Sequence, residues 1–179
     1  MLYRTLNEIK HFIENEIQNN NYLMAQNNID SEYQDESEKM VLPKVCTGLL
    51  PHQNFNLYGA DNMFFQAPYV LIGFDEASFD MDTSEIPILI QVCCCSSSHY
   101  EEEGQRTLPD NRSFEDCIIF LEWIKNRIQK KWTFNGVPIN GKFRLNTYNG
   151  KELTYPFCFG YLSFSLEAKP EESNIRDIY

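Results

Sequence analysis

The sequence has no uninterrupted apolar run of the ~18 residues that a membrane-crossing helix needs. Its first residues also lack the basic, then hydrophobic, then small-residue order of a secretory leader. The expectation is a soluble chain that is cytosolic when made and does not enter a membrane. Cations are scarce, with 15 Lys and Arg against 26 Asp and Glu and a net charge of −11. Nucleic-acid binding is driven by neutralising phosphates with Lys and Arg, so this chain should repel DNA and bind no specific site on it. The spacings that mark catalytic and metal centres are missing as well. There is no C-x-x-C, no H-x-x-x-H and no G-x-S-x-G, and histidine occurs only three times.

Cysteine is present six times, as Cys46, Cys93, Cys94, Cys95, Cys117 and Cys158, three of them consecutive within an apolar run. Neighbouring residues on a strand point to opposite faces, so the triplet can neither bridge itself nor close a tetrahedral metal site. These residues read as small core side chains, and in a reducing compartment all six are expected to be free thiols. A zinc site recruiting Cys93, Cys95 and His99 lacks ligand spacing. Ser97, Ser98 and His99 lack the strained elbow of a hydrolase nucleophile. No catalytic residue, metal or cofactor is expected, and an enzyme, specifically a metal-dependent hydrolase, is the weakest functional reading.

With 179 residues the chain holds one ordinary core, so a single domain with an appended arm is expected over 1–179. The segment that organises it is SFEDCIIFLEWIKNRIQKKW, Ser113 to Trp132. Ser113 serves as N-cap, Glu115 and Asp116 make an acidic first turn, and Lys130 and Lys131 sit in the last turn, where cations suit the helix dipole. At about 100° per residue, Phe114, Cys117, Ile118, Leu121, Ile124, Ile128 and Trp132 share one face, which predicts burial. On the opposite face Ile119 and Trp123 stand one turn apart among Glu115, Asp116, Asn126, Arg127 and Lys130. An adjacent Ile and Trp ringed by charge predict a contact, either with another part of this chain or with another subunit.

Before it, Leu2, Leu6, Ile9, Ile13 and Ile17 repeat at helical spacing and predict a helix over 1–18. Residues 19–40 are rich in Asn, Asp and Glu without a period, which reads as a solvated linker or an interaction arm. The globular core is expected over 41–168. Short strand character appears at Lys44 to Leu49, and Pro68 to Phe74 and Ile86 to Cys95 read as paired strands with both faces covered. Tyr100 with Glu101, Glu102 and Glu103 lies in a polar stretch, Ser96 to Arg112, which reads as a loop with a solvated charge run. After the helix, Asn135–Gly136 and Asn140–Gly141 bracket a tight excursion, and Lys142 to Thr147 and Tyr161 to Ala168 alternate as half-buried strands. Residues 169–179 form a charged tail. The fold class is α+β: a largely antiparallel sheet of four strands, or slightly more, packed on a central and an N-terminal helix.

Three segments carry a resemblance: Phe65 to Ile72, with the acidic stretch and strand Ile86 to Val92 that follow it; the acidic, glycine-containing Tyr100 to Gly104 leading into a long helix; and Tyr155, Pro156, Phe157 followed by Phe159, Gly160 and Tyr161. Over roughly Leu42 to Ala168 the chain resembles the tail-terminator or tail-completion proteins of long-tailed phages and related prophage or bacteriocin particles. It departs in carrying Cys158 where that pattern has tryptophan, and in its cysteine triplet and Asn-rich 19–28. The resemblance implies a non-enzymatic structural protein forming a ring, commonly hexameric. Such a ring caps the tail tube, ends its polymerisation and joins it to the head-side connector or collar. Its partners would be further copies of itself, the tail-tube protein and the connector. Its place would be the host bacterial cytoplasm during assembly and then the head-proximal end of the tail. Ile119, Trp123, Arg127, Phe157 and Phe159 are the expected subunit or tube contacts. DNA slides through such a ring, so at least one of two acidic loops, Asp75 to Glu85 with Asp80, Asp82 and Glu85, or Tyr100's neighbours Glu101, Glu102 and Glu103, is expected to face the lumen, with a merely solvated outer position as the alternative. A monomeric adaptor module is the rival from another class.

Overall fold

A computed structural model describes residues 2–26, 40–48, 67–74, 78–79, 84–95, 112–147 and 157–168. Helix α1 (Leu2–Asn19) buries Leu6, Ile9, Ile13 and Ile17 along the stripe its spacing dictates. Strands β1 (Met24–Ala25) and β2 (Met40–Val41) pair antiparallel, so the two ends of the polar arm meet; residues 27–39 lie outside the described residues.

The main sheet contains β3 (Lys44–Thr47), β4 (Tyr69–Phe74), β6 (Ser84–Cys95), β9 (Phe157–Ala168), β8 (Val137–Thr147) and β7 (Thr133–Phe134), neighbours in that order. The short β5 (Ser78–Phe79) pairs with β6 beyond the end of β4. Strands β3 and β4 run parallel, and the remaining neighbours run antiparallel. The α+β class holds, but the sheet is larger than four strands and mixed. The reason is that β3 and β7 add at the edges, and β3 is joined in parallel by a long connection that local periodicity does not reveal.

Helix α2 (Arg112–Lys131) packs on β6, β9 and β8, while α1 touches β3, β4 and β7. Since α1 reaches strands at both edges of the sheet, the sheet curls around the helices, and the main core fills its concave side. On β6 and β9 the even-numbered side chains, Ile86, Ile88, Ile90, Val92, Leu162, Phe164 and Leu166, enter this core, as the period of two requires. Gly160 lies under α2 because no side chain fits there: a Cβ would stand 2.7 Å from Leu121 Cδ1 and 2.9 Å from Cys117 Sγ.

Three local expectations change. Helix α2 starts at Arg112, with Ser113 buried inside its first turn rather than capping it. The stripe does bury Cys117, Leu121, Ile124 and Ile128, with Phe120 added, but Phe114 is 42% and Trp132 69% exposed. Trp132 leaves the stripe because it has a φ of 65° and stands beyond the helix end, so the helical period no longer applies to it. Asn135–Gly136 is the two-residue turn of a β7–β8 hairpin, both residues having positive φ, and β8 already begins at Val137. Asn140–Gly141 falls inside β8, at the register shift between Asn140 and Arg144.

Candidate interaction surfaces

Side chains of α1 and the residues just past it clasp the C-terminal half of α2. Lys131 Nζ is 2.9 Å from Glu8 Oε1 and lies over the rings of Phe12 and Phe134 at 4.9 and 4.8 Å. Glu8 also accepts the Asn135 backbone N–H. Farther along, Arg127 Nη1 is 3.3 Å from Glu16, and its Nη2 donates to Asn20 Oδ1 at 3.0 Å. Half-exposed ion pairs contribute at most about 1 kcal/mol each, so the aromatic contacts carry more of this clasp than its charges do.

The question left open for Ile119 and Trp123 divides here. Tyr22, just past α1, lies on Trp123 with ring centroids 4.7 Å apart and stacks on Phe120 at 5.0 Å, while the Arg127 guanidinium sits 5.2 Å over the indole. Trp123 is thus half-buried by its own chain, and Arg127 is engaged with it and with α1. Burial first, then Cys94 and Asp116 nearby, push the Tyr22 phenol up to about 12. Ile119 remains 57% exposed, between the exposed Glu115 and Glu122 on the outer stripe of α2.

The convex face of the sheet carries a second, smaller cluster. Ala67, Tyr69, Cys93 and Cys95 are buried together, and Leu71, Phe157 and Phe159 pack against them half-buried. Tyr69, Leu71, Gln91, Val92 and Phe159 line a shallow cleft of about 150 Å³. Phe157 and Phe159 stand there because the odd-numbered residues of β9 point away from the helices. Among the described residues no helix packs on this face. At its other end the face turns polar, with exposed Arg144 of β8 the cross-strand partner of Ser163. Glu85 and Glu167, both exposed, are direct cross-strand partners, an arrangement that destabilises the pair by like-charge repulsion. Asp80, Asp82, Glu101, Glu102 and Glu103 lie outside the described residues, as do Ser97, Ser98 and His99.

All six cysteines are free thiols, five of them buried. Sequence periodicity did not reveal that three converge. Cys94 and Cys158 are register partners on β6 and β9, and Cys117 of α2 sits over them, with its thiol close to both. The Cys158 Sγ donates to the Phe159 carbonyl at 4.0 Å, and its contact with Cys117, then burial, push the Cys158 thiol up. Cys117 is pulled down by that contact, but its contact with Cys94 and its burial outweigh this, so it too is raised. Burial raises Cys93 despite the Tyr69 hydroxyl that donates to it. Neutral thiols are poor nucleophiles and poor metal ligands. Among the described residues no group of three or more His, Cys, Asp or Glu has a geometry that could hold a metal ion.

A pH dependence follows. The ordinary thiol value is 9.0 and the folded values of Cys93, Cys117 and Cys158 lie higher, so the fold favours their protonated form. Their stabilisation is complete below about pH 9 and is lost as pH rises past it, at about 1.4 kcal/mol per pH unit for each fully buried group and less for half-buried Cys158. The thermal midpoint by scanning calorimetry should hold between pH 7 and 8.5 and then fall steadily. A flat midpoint to about pH 10.5 would contradict neutral buried thiols.

A cleft of about 540 Å³ runs between α1 and β3, lined by Lys10, Glu14, Leu42, Lys44, Val45 and Cys46 among others. Lys10 and Glu14 pair at 3.4 Å one turn apart on its α1 wall, and burial raises the Cys46 thiol above its ordinary value, so this cleft holds no activated nucleophile. Among the described residues no helix is long and apolar enough to cross a membrane. A scan against models of known protein families gives no match, and a search of curated proteins gives none either.

Proposed function

We propose that this chain is the ring-forming terminator of a phage or phage-like tail: a structural, non-enzymatic subunit that caps the tail tube, ends its polymerisation and joins it to the head-side connector or collar. The observation that carries this reading is the two-sided architecture. Both helices fill one face of a curled sheet, and the opposite face still bears a half-buried apolar patch, Leu71, Phe157 and Phe159, on which no described helix packs. A subunit of a closed ring must offer one surface to its neighbour and another to the tube, and an apolar patch separate from the core supplies one of them.

Charge supports the same reading. Glu85 and Glu167 keep a repulsive cross-strand pair on the exposed, polar end of the convex face. A carboxylate-lined bore leaves the phosphates of passing DNA uncompensated, so the genome slides without adhering. In this proposal that end of the face, with Glu85, lines the lumen.

Removing the gene from its particle should give tube-like tails of uncontrolled length that do not join heads, and a copy supplied in trans should restore a fixed length. Tails of normal length and normal joining without the protein would overturn the proposal. For a monomeric adaptor, light scattering would instead give one chain per particle at every concentration.

A further inference from the structure

Trp132 combines two features that a residue serving only the fold does not need. Its φ of 65° is the left-handed conformation normally given to glycine after a helix, where a bulky side chain is strained. The backbone is held there because its N–H reaches Ile128 O at 3.4 Å and its carbonyl accepts the Ile139 N–H at 3.0 Å, turning the chain from α2 into the β7–β8 hairpin. Yet the indole is 69% exposed, so little packing compensates for the strain. Strain retained at an exposed aromatic residue suggests a role outside the monomer.

The two ends of α2 are complementary. The C-terminal end presents exposed Trp132 beside exposed Lys130, in a chain whose net charge is −11. The N-terminal half presents Ile119, 57% exposed, between Glu115 and Glu122 at helical spacing, with Phe114 also open at 42%. Arg112, the cation at that end, is engaged in an interaction of its own. We infer that the Trp132–Lys130 end of α2 docks on the Ile119 patch, between Glu115 and Glu122, of a second copy of this chain. The contact is head-to-tail and heterologous, the kind that closes into a ring when its rotation allows. This inference rests on the ring reading above and names the surface that would build the ring.

Sedimentation and light scattering of the full-length chain test it. Wild type should self-associate, and Trp132→Asn should weaken association at least about tenfold. The same variant should leave the monomer's thermal midpoint within about 2 °C of wild type or raise it, because Asn tolerates the left-handed conformation. Lys130→Glu and Glu122→Lys should each weaken association, and an equimolar mixture of the two should recover a large part of it, since residue 130 then meets an opposite charge at residue 122 at every alternating junction. A wild type that is monomeric at every concentration, an unchanged association of Trp132→Asn, a clear drop in its midpoint, or a mixture that fails to recover would each overturn the inference. If rings are nevertheless seen on tails, only this surface is wrong. If the chain self-associates through it but tails keep normal length without the gene, the ring-terminator reading is what fails.

Discussion

Gly160→Val is expected to be the most damaging single substitution in the described core, and Gly160→Ala to lose about 1–3 kcal/mol. The Cβ added at this site meets Leu121 Cδ1 at 2.7 Å, Cys117 Sγ at 2.9 Å and the Asn146 carbonyl at 3.2 Å. Leu121 and Cys117 are fully buried, so neither can swing away without lifting α2 from β9. The γ methyls of valine extend the same collision. At about 2–4 °C per kcal/mol for a chain of this size, alanine should lower the thermal midpoint by several degrees, and valine should leave little folded protein at 37 °C. Gly73→Ala is the matched control, since nothing stands within 4 Å of its added Cβ. A Gly160→Ala midpoint no lower than that of Gly73→Ala would mean that α2 does not seat on β9 as described.

Trp123→Glu is expected to destabilise the folded monomer by about 2–4 kcal/mol, somewhat less than truncating a fully buried aromatic residue. It removes the ring on which Tyr22 lies and over which Arg127 sits, and it puts a carboxylate beside Phe120. Trp123→Phe should keep most of the contact and most of the stability. Chemical denaturation followed by circular dichroism measures both. Loss of self-association with an unchanged denaturation midpoint would instead place Trp123 at a subunit boundary, with Tyr22 lying elsewhere.

These residues show what local sequence can and cannot carry. The stripes of α1 and α2 and the alternation of Leu162, Phe164 and Leu166 were legible because burial against one continuous core imposes a period of 3.6 or 2 on the residues themselves. The parallel pairing of β3 with β4 was not, since register between distant segments leaves no local pattern. The meeting of Cys94, Cys117 and Cys158 was hidden for the same reason. Trp132 fell in phase with the buried stripe, and only its positive φ takes it out to solvent. For Ile119 and Trp123 the sequence left two partners open, and Tyr22 takes the tryptophan while the isoleucine stays exposed. Phe157 and Phe159 were legible as aromatic positions, but their side of the sheet followed only from the register of β9 with β6.

The most direct measurement is cryo-electron microscopy of purified tails that carry this protein. The expected density is a closed ring of this chain on the last tube ring at the head-proximal end, with Trp132 of each copy against Ile119 of the next and Glu85 turned toward the bore. A tail whose head-proximal end lacks the chain, or holds it as a single copy outside the tube axis, would contradict the ring-terminator role.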